Sequence, residues 1–366
     1  MILGTKRSSR LWHTQVFMRK GSILLGALAV FATAVQFIAA AEQVAGGPFV
    51  VGVPGKTAKI AWIVNSPSLR VESTSMTSLQ PNTRYEYSIP GLGEAGKGSF
   101  KTPPEGSEPF QFVAYGDNRT RHDVHRRLVA QVLRHGIPDF IIQSGDMVEN
   151  GNDISQWPVF FDIEKDLLRQ TSFFPALGNH ERHSQYFESI FHDGTPYYSF
   201  DWGNSHFTVL DTNIENAAPY ERGRSVYWNE EVRWFEEDLN QHQKADYRFV
   251  LGHHPPFTAV GSRQGSNGHV TALTPMFEKY RVSAAFFGHD HNYQHYAKNG
   301  IHYVITGGGG APLYDVSKPP QGITVKVDKI ENFVSVSVNG KTAHFTAISI
   351  DGTTLDDFEV RSPAAN

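Results

Sequence analysis

The 366-residue chain contains no cysteine. Disulfides, thiolate metal ligands and a cysteine nucleophile are all excluded by that one absence. No acidic residue occurs before Glu42, and no internal repeat or low-complexity tract interrupts the sequence. The N-terminal region has neither an Arg-Arg pair nor a modifiable cysteine, so it supports neither a twin-arginine signal nor a lipidated one. With 40% hydrophobic and 19% charged residues, the composition is that of a folded protein, not a disordered one. The length allows one to three domains and a large core.

What the N-terminus does have is Lys6, Arg7, Arg10, Arg19 and Lys20, then an apolar stretch from Ile23 to Ala40 ending in Ala39-Ala40-Ala41. Basic, apolar, then small is the layout of a secretory signal peptide, so residues 1–41 are read as one, with cleavage near Ala41. This reading places the remainder in a secreted or periplasmic location. The alternative is an uncleaved anchor, the only route to a membrane here, because about 18 apolar residues can span a bilayer. Gln36 and the alanine-rich composition weigh against that span. Without the five basic residues the formal charge moves from −4 to −9. A negative body argues against general nucleic-acid binding. It leaves room for an anionic substrate where cations dominate the field of a cleft.

Two blocks follow. Residues 42–105 read as β structure: a strand over Thr57–Val64, a turn leading into a strand over Leu79–Ile89, and a closing strand Gly98–Thr102. The run Leu79-Gln80-Pro81-Asn82-Thr83-Arg84-Tyr85-Glu86-Tyr87 resembles a signature of fibronectin type III-like sandwiches, although the block is short for one. Pro103-Pro104-Glu105-Gly106 forms a linker. Over residues 106–366 strands alternate with helices: strands at Phe110–Tyr115, Phe140–Ile142, Phe173–Leu177, Phe249–Leu251 and Ala284–Phe287, and helices at Asp123–Arg134, Ile154–Leu168 and Trp228–His242. That alternation indicates a layered α/β domain. Strand signals return at Tyr197–Asp211 and over 323–361, with Asn339-Gly340 and Asp351-Gly352 as hairpin turns. These are read as a second sheet packed on the first.

The chemistry lies in short motifs in one order: Gly116-Asp117-Asn118-Arg119, Gly145-Asp146, Gly178-Asn179-His180-Glu181, Gly252-His253-His254-Pro255, Gly288-His289-Asp290-His291 and the Gly307–Gly310 run. Asp117, Asp146, Asn179, His253 and His289 each follow a predicted strand, where open α/β sheets collect their ligands. Carboxylate and amide oxygens with imidazoles suit Zn, Mn or Fe. A shared carboxylate lets two such cations sit about 3.5–4 Å apart. Any one of these residues alone is more commonly a cap, a turn or a structural histidine; the set carries the reading.

At these motifs the chain resembles the calcineurin-like metallophosphoesterases, and most of all the purple acid phosphatase branch, which places a fibronectin-like domain before the catalytic one. The resemblance covers roughly residues 45–312. It implies a two-sheet αββα sandwich preceded by a small all-β domain. It further implies Asp146 bridging two metals, Asp117 and His291 completing one site, and Asn179, His253 and His289 the other. The implied reaction is hydrolysis of a phosphate ester by in-line attack of a metal-bridging hydroxide, with His180 assisting the leaving group. Substrates would be small phosphate esters or phosphoproteins. A phosphodiesterase or nucleotidase on the same site, and an inactive surface-binding scaffold, are the alternatives. Two positions depart from the branch. Glu149 stands where the purple enzymes carry a tyrosine, which argues against a purple Fe(III) centre. Arg119 stands where many relatives carry a histidine, and its forked donors make it a candidate phosphate clamp, with a surface ion pair as the alternative. Glu181 is expected to orient His180, and His254 and Asp290 to be structural.

Overall fold

The computed structural model describes residues 43–52, 56–65, 69–191, 195–214 and 224–362. The segment read as a signal peptide, and most of the loop 215–226, lie outside the described residues. The N-terminal block contributes β1 (Gln43–Val51), β2 (Ala58–Asn65) and β3 (Leu69–Met76), followed by the pair β4 (Arg84–Ser88) and β5 (Lys97–Lys101). The α/β region begins with β6 (Phe110–Tyr115), α1 (His122–His135), β7 (Phe140–Gln143), α2 (Gln156–Leu168), β8 (Ser172–Pro175) and α3 (Gln185–Phe191). It continues through β9 (Tyr198–Trp202), β10 (Ser205–Val209), α4 (Arg224–Gln241), β11 (Tyr247–Leu251), α5 (Gly268–Thr271), α6 (Thr274–Lys279), β12 (Ala284–Phe287), β13 (Tyr293–Lys298) and β14 (Ile301–Thr306). The C-terminal strands are β15 (Thr324–Asp328), β16 (Asn332–Asn339), β17 (Thr342–Ser349) and β18 (Thr354–Arg361).

Two sheets result. The first has nine strands in the order β18-β17-β16-β6-β7-β8-β1-β2-β3, the second seven in the order β15-β13-β14-β12-β11-β10-β9. Within them β6, β7 and β8 run parallel, as do β10, β11, β12 and β14. The strands are apolar on both faces because both faces are covered. One core fills the space between the sheets, a second lies under α1, α2 and α3, and a third under α4, α5 and α6. This is the αββα sandwich, with β strands at its N-terminal side.

Two placements are not encoded in alternation. β1 pairs in parallel with β8, so the N-terminal strands continue the first sheet across the Pro103–Gly106 linker. The strands of 323–361, expected together in the second sheet, are divided. β15 pairs with β13 in the second sheet, while β16 pairs antiparallel with β6 and carries β17 and β18 into the first. A period of two residues tells which face of a strand is buried, not which neighbour it pairs with.

Phe112 shows how the sheets are joined. It is fully buried on β6, and its ring lies 5.1 Å from Phe140, 5.4 Å from Phe207 and 5.7 Å from both Phe249 and Phe286. Phe112→Ala is expected to destabilise the fold by about 3–5 kcal/mol, read as a lower urea midpoint. An unchanged midpoint would mean the two sheets do not depend on this contact.

Candidate metal centre

The turns after β6, β7, β8, β11 and β12 meet at one end of the sandwich, where each parallel strand delivers its motif. Asp117 (φ 59°), Asp146 (φ 57°) and His289 (φ 67°) all sit in the left-handed region, which costs a non-glycine residue energy and clusters at functional sites. The motif glycines permit the close approach. A Cβ on Gly178 would lie 2.1 Å from the Asp146 amide nitrogen, and one on Gly288 would lie 2.4 Å from Asp117 Oδ2.

Side chains converge on Asp146, which is 1% exposed. Its Oδ1 lies 3.4 Å from His253 Nε2. Asn179 Oδ1 is 3.0 Å from both His253 Nε2 and His289 Nδ1. On the other side, His291 Nε2 is 3.4 Å from Asp117 Oδ1. The ligand atoms of Asp117, Asp146 and His253 all fall within 4.8 Å of one another, as do those of His253, His254 and His289. All six residues that the motifs single out therefore meet in one place, with His254 added.

Tautomers follow from the outer hydrogen bonds. His253 Nδ1 donates to the Ser144 carbonyl at 2.7 Å, and His291 Nδ1 donates to the Pro312 carbonyl at 2.7 Å. A carbonyl only accepts, so both rings turn an Nε2 lone pair inward. Around Asp146 these lone pairs face carboxylate and amide oxygens, acceptor against acceptor. Burial pushes His253 down to about 3 and His291 down to about 4. His289 and His254 are held well below the usual histidine range by burial and by the neighbouring rings. No second proton on His253 or His291 therefore fills the gap near neutral pH. Burial, then Asp146, drives the Asp117 carboxyl well above the usual range. Hard oxygens with neutral imidazoles form a donor set that fits Zn, Mn or Fe.

His180 borders this cluster. Its Nδ1 donates to the Glu149 carbonyl at 2.8 Å, leaving Nε2 3.8 Å from Asp146 Oδ2. Arg119 contacts both Asp146, at 3.5 Å through Nε, and the Glu149 carboxylate, and that Nε is buried without a hydrogen-bond partner. Glu181 does not orient His180. Its carboxylate instead accepts the backbone N–H groups of Asp146, Met147, Val148 and Gly178, tying two ligand loops together. Asp290 is structural as expected, accepting from Thr258, Gln294 and Arg263. His295 pairs with Asp356 and His302 on β13 and β14.

Beside the cluster opens a cleft of about 650 Å³, reached by Asn179, His254 and His289 on one side and by Arg182, Arg263 and His269 on the other. Sequence reasoning gave these last three no role, because Arg182 is a lone charge and the 258–270 loop has no motif. The one available signal was their closeness in sequence to the ligand motifs. Tyr314, also unforeseen, stacks on His291 at 4.2 Å and carries the Arg263 guanidinium over its ring at 4.3 Å.

The calcineurin-like phosphoesterase family model matches residues 110–293, and the chain belongs to that family. It is 25% identical to human (Homo sapiens) tartrate-resistant acid phosphatase type 5 over 312 residues, 71% of this chain and 93% of that one. It is 23% identical over 276 residues to an uncharacterized protein of Mycobacterium tuberculosis, covering 63% of this chain and 51% of the relative. The chain thus spans about half the length of that relative. A purple acid phosphatase from yellow lupin (Lupinus luteus) seeds superposes with a TM-score of 0.69 at 16% identity, over 86% of this chain and 74% of the lupin chain. Its fold is therefore that of a purple acid phosphatase. Among the described residues no helix is long and apolar enough to cross a membrane.

Glu181 gives a sharp test of this frame. Glu181→Gln keeps the size but turns an NH₂ toward backbone donors, so it is expected to cost about 1–3 kcal/mol or more and to lower metal content. Denaturant unfolding and elemental analysis would check both. Wild-type stability and metal content in the variant would remove Glu181 from the account.

Proposed function

We propose that this chain is an exported, dinuclear phosphoesterase of the acid phosphatase kind. The observation that carries the reading is the convergence of Asp117, Asp146, Asn179, His253, His289 and His291 at one end of the sandwich. The Nε2 lone pair of His253 faces the Asp146 carboxylate and that of His291 faces the Asp117 carboxylate, each at 3.4 Å. Asp117, His291 and Asp146 would hold one ion, and Asn179, His253, His289 and Asp146 the other. Bound there, two cations of Zn, Mn or Fe would supply Lewis acidity, lowering the pKa of water from about 16 toward about 7 and neutralising phosphoryl charge.

The chain's own residues supply the rest. His180 is fixed by its bond to the Glu149 carbonyl, so when protonated it offers an Nε2–H toward the site and can pass that proton to the departing alkoxide. Its half-exposed position (20% of the side chain) leaves room for an ester oxygen. Arg119, held by Asp146 and Glu149, has a buried Nε–H without a partner, a donor suited to a phosphoryl oxygen. Asp146 Oδ1 accepts the His180 backbone N–H at 3.0 Å, so Asp146 and His180 are held beside each other. Glu149 pairs with Arg119, which supports a colourless centre over a purple one. Export rests on the basic and apolar layout of residues 1–41.

The experiment is to strip the protein, refill it with Zn, Mn or Fe, and compare p-nitrophenyl phosphate with bis-p-nitrophenyl phosphate. Metal-dependent turnover is expected, and the preferred ester separates phosphatase from diesterase. Stoichiometric metal binding with no turnover of either ester would contradict the proposal. Asp146→Asn should abolish activity and metal content together. His180→Ala should lower turnover about 10²–10⁴-fold with metal content near wild type; loss of metal would make His180 a support for the ligands instead.

A further inference from the structure

The cleft beside the metal cluster carries an uncompensated cation. Arg182 is exposed on its wall and makes no ion pair or hydrogen bond among the described residues. Arg182 (φ 56°) and His183 (φ 48°) are consecutive non-glycine residues in the left-handed region, a strained pair that persists only where its surroundings enforce it. Both flanks are locked. Glu181 is fully buried by its backbone N–H donors, and His183 is buried with Nε2 3.3 Å from Asp211 Oδ2. Between these two buried neighbours, the exposed Arg182 side chain lines the cleft.

The rest of the wall leaves its charge unanswered. Among the described residues, no carboxylate lines the cleft. Arg263, the other guanidinium there, is already engaged by Asp290 Oδ1 at 3.1 Å, the His289 carbonyl and the Tyr314 hydroxyl. On the opposite flank of Asp146, Arg119 and His180 are placed for the scissile phosphate. A volume of about 650 Å³ exceeds what one phosphate fills and lies in the range of small-molecule sites. We infer that Arg182 recognises a second anionic group, a carboxylate or phosphate on the leaving-group side of the substrate. This rests on the phosphoesterase reading above and adds a substrate class to it: phosphate esters whose leaving group is itself an anion.

The test uses unreactive phosphonates on the metal-loaded full chain, with affinities from calorimetry. Para-carboxyphenylphosphonate is compared with its neutral isostere para-carbamoylphenylphosphonate, and para-phenylenediphosphonate serves as the phosphate arm. Wild type is expected to bind an anionic ligand about tenfold more tightly than the neutral isostere, the scale of a hydrogen bond to a charged partner. Whichever anionic arm shows the larger margin identifies the second group. Arg182→Gln should reduce that margin to about one, and Arg182→Lys should keep most of it. A margin unchanged in Arg182→Gln, absent in wild type, or accompanied by equal weakening of all three ligands would overturn the assignment while leaving the phosphoesterase reading intact. Equal weakening would place Arg182 on the scissile phosphate. Failure of every phosphonate to bind the loaded wild type would sink both.

Discussion

Lone pairs packed against lone pairs in a dry site repel one another unless a cation stands between them, and the Nε2 atoms of His253 and His291 face the carboxylates of Asp146 and Asp117 in this way. His253 Nε2 at 3.4 Å and the Asn179–His289 contact at 3.0 Å are distances at which one partner ordinarily brings a proton. Burial denies His253 that proton, holding it down to about 3. Much of the surrounding structure keeps this arrangement from relaxing. The Ser144 and Pro312 carbonyls pin the rings, and Glu181 gathers the amides on both sides of Asp146. Three of the converging residues accept a left-handed backbone as part of the same constraint. Such strain has to be supported elsewhere.

The support comes from the two-sheet core. Strands β6, β7 and β8 from one sheet and β11 and β12 from the other point their carboxyl ends at a common edge, and the phenylalanine layer around Phe112 fixes their relative height. Neither sheet alone supplies the whole set. Asp117, Asp146 and Asn179 come from the first, His253, His289 and His291 from the second. A cation pair would therefore act as a clamp between sheets as well as a source of reactivity.

The legible parts of this protein were the ones encoded locally. An apolar run ending in Gly-Asp or Gly-His names both a strand and the residue at its tip, so the strand positions and the gathering of the six side chains could be anticipated. The glycines beside Asn179 and His289 matter because a single Cβ would strike Asp146 and Asp117, and that demand is written in adjacent residues. Long-range partnerships were not legible. Glu181 serves amides more than thirty positions away, and nothing in Asn179-His180-Glu181 distinguishes that role from orienting His180. The strands of 323–361 declared their buried faces but not their partners, so their division between sheets appears only in three dimensions. Arg182 reads as an ordinary surface charge until its locked neighbours and its place on the cleft wall are seen.

The account stands most directly on two cations sharing one carboxylate. Anomalous diffraction from crystals of the full chain loaded with Zn or Mn, recorded at the metal edge, would test it. Two peaks about 3.5–4 Å apart are predicted, with Asp146 between them, Asp117 and His291 at one, and Asn179, His253 and His289 at the other. A single peak, or two peaks that do not share Asp146, would contradict it.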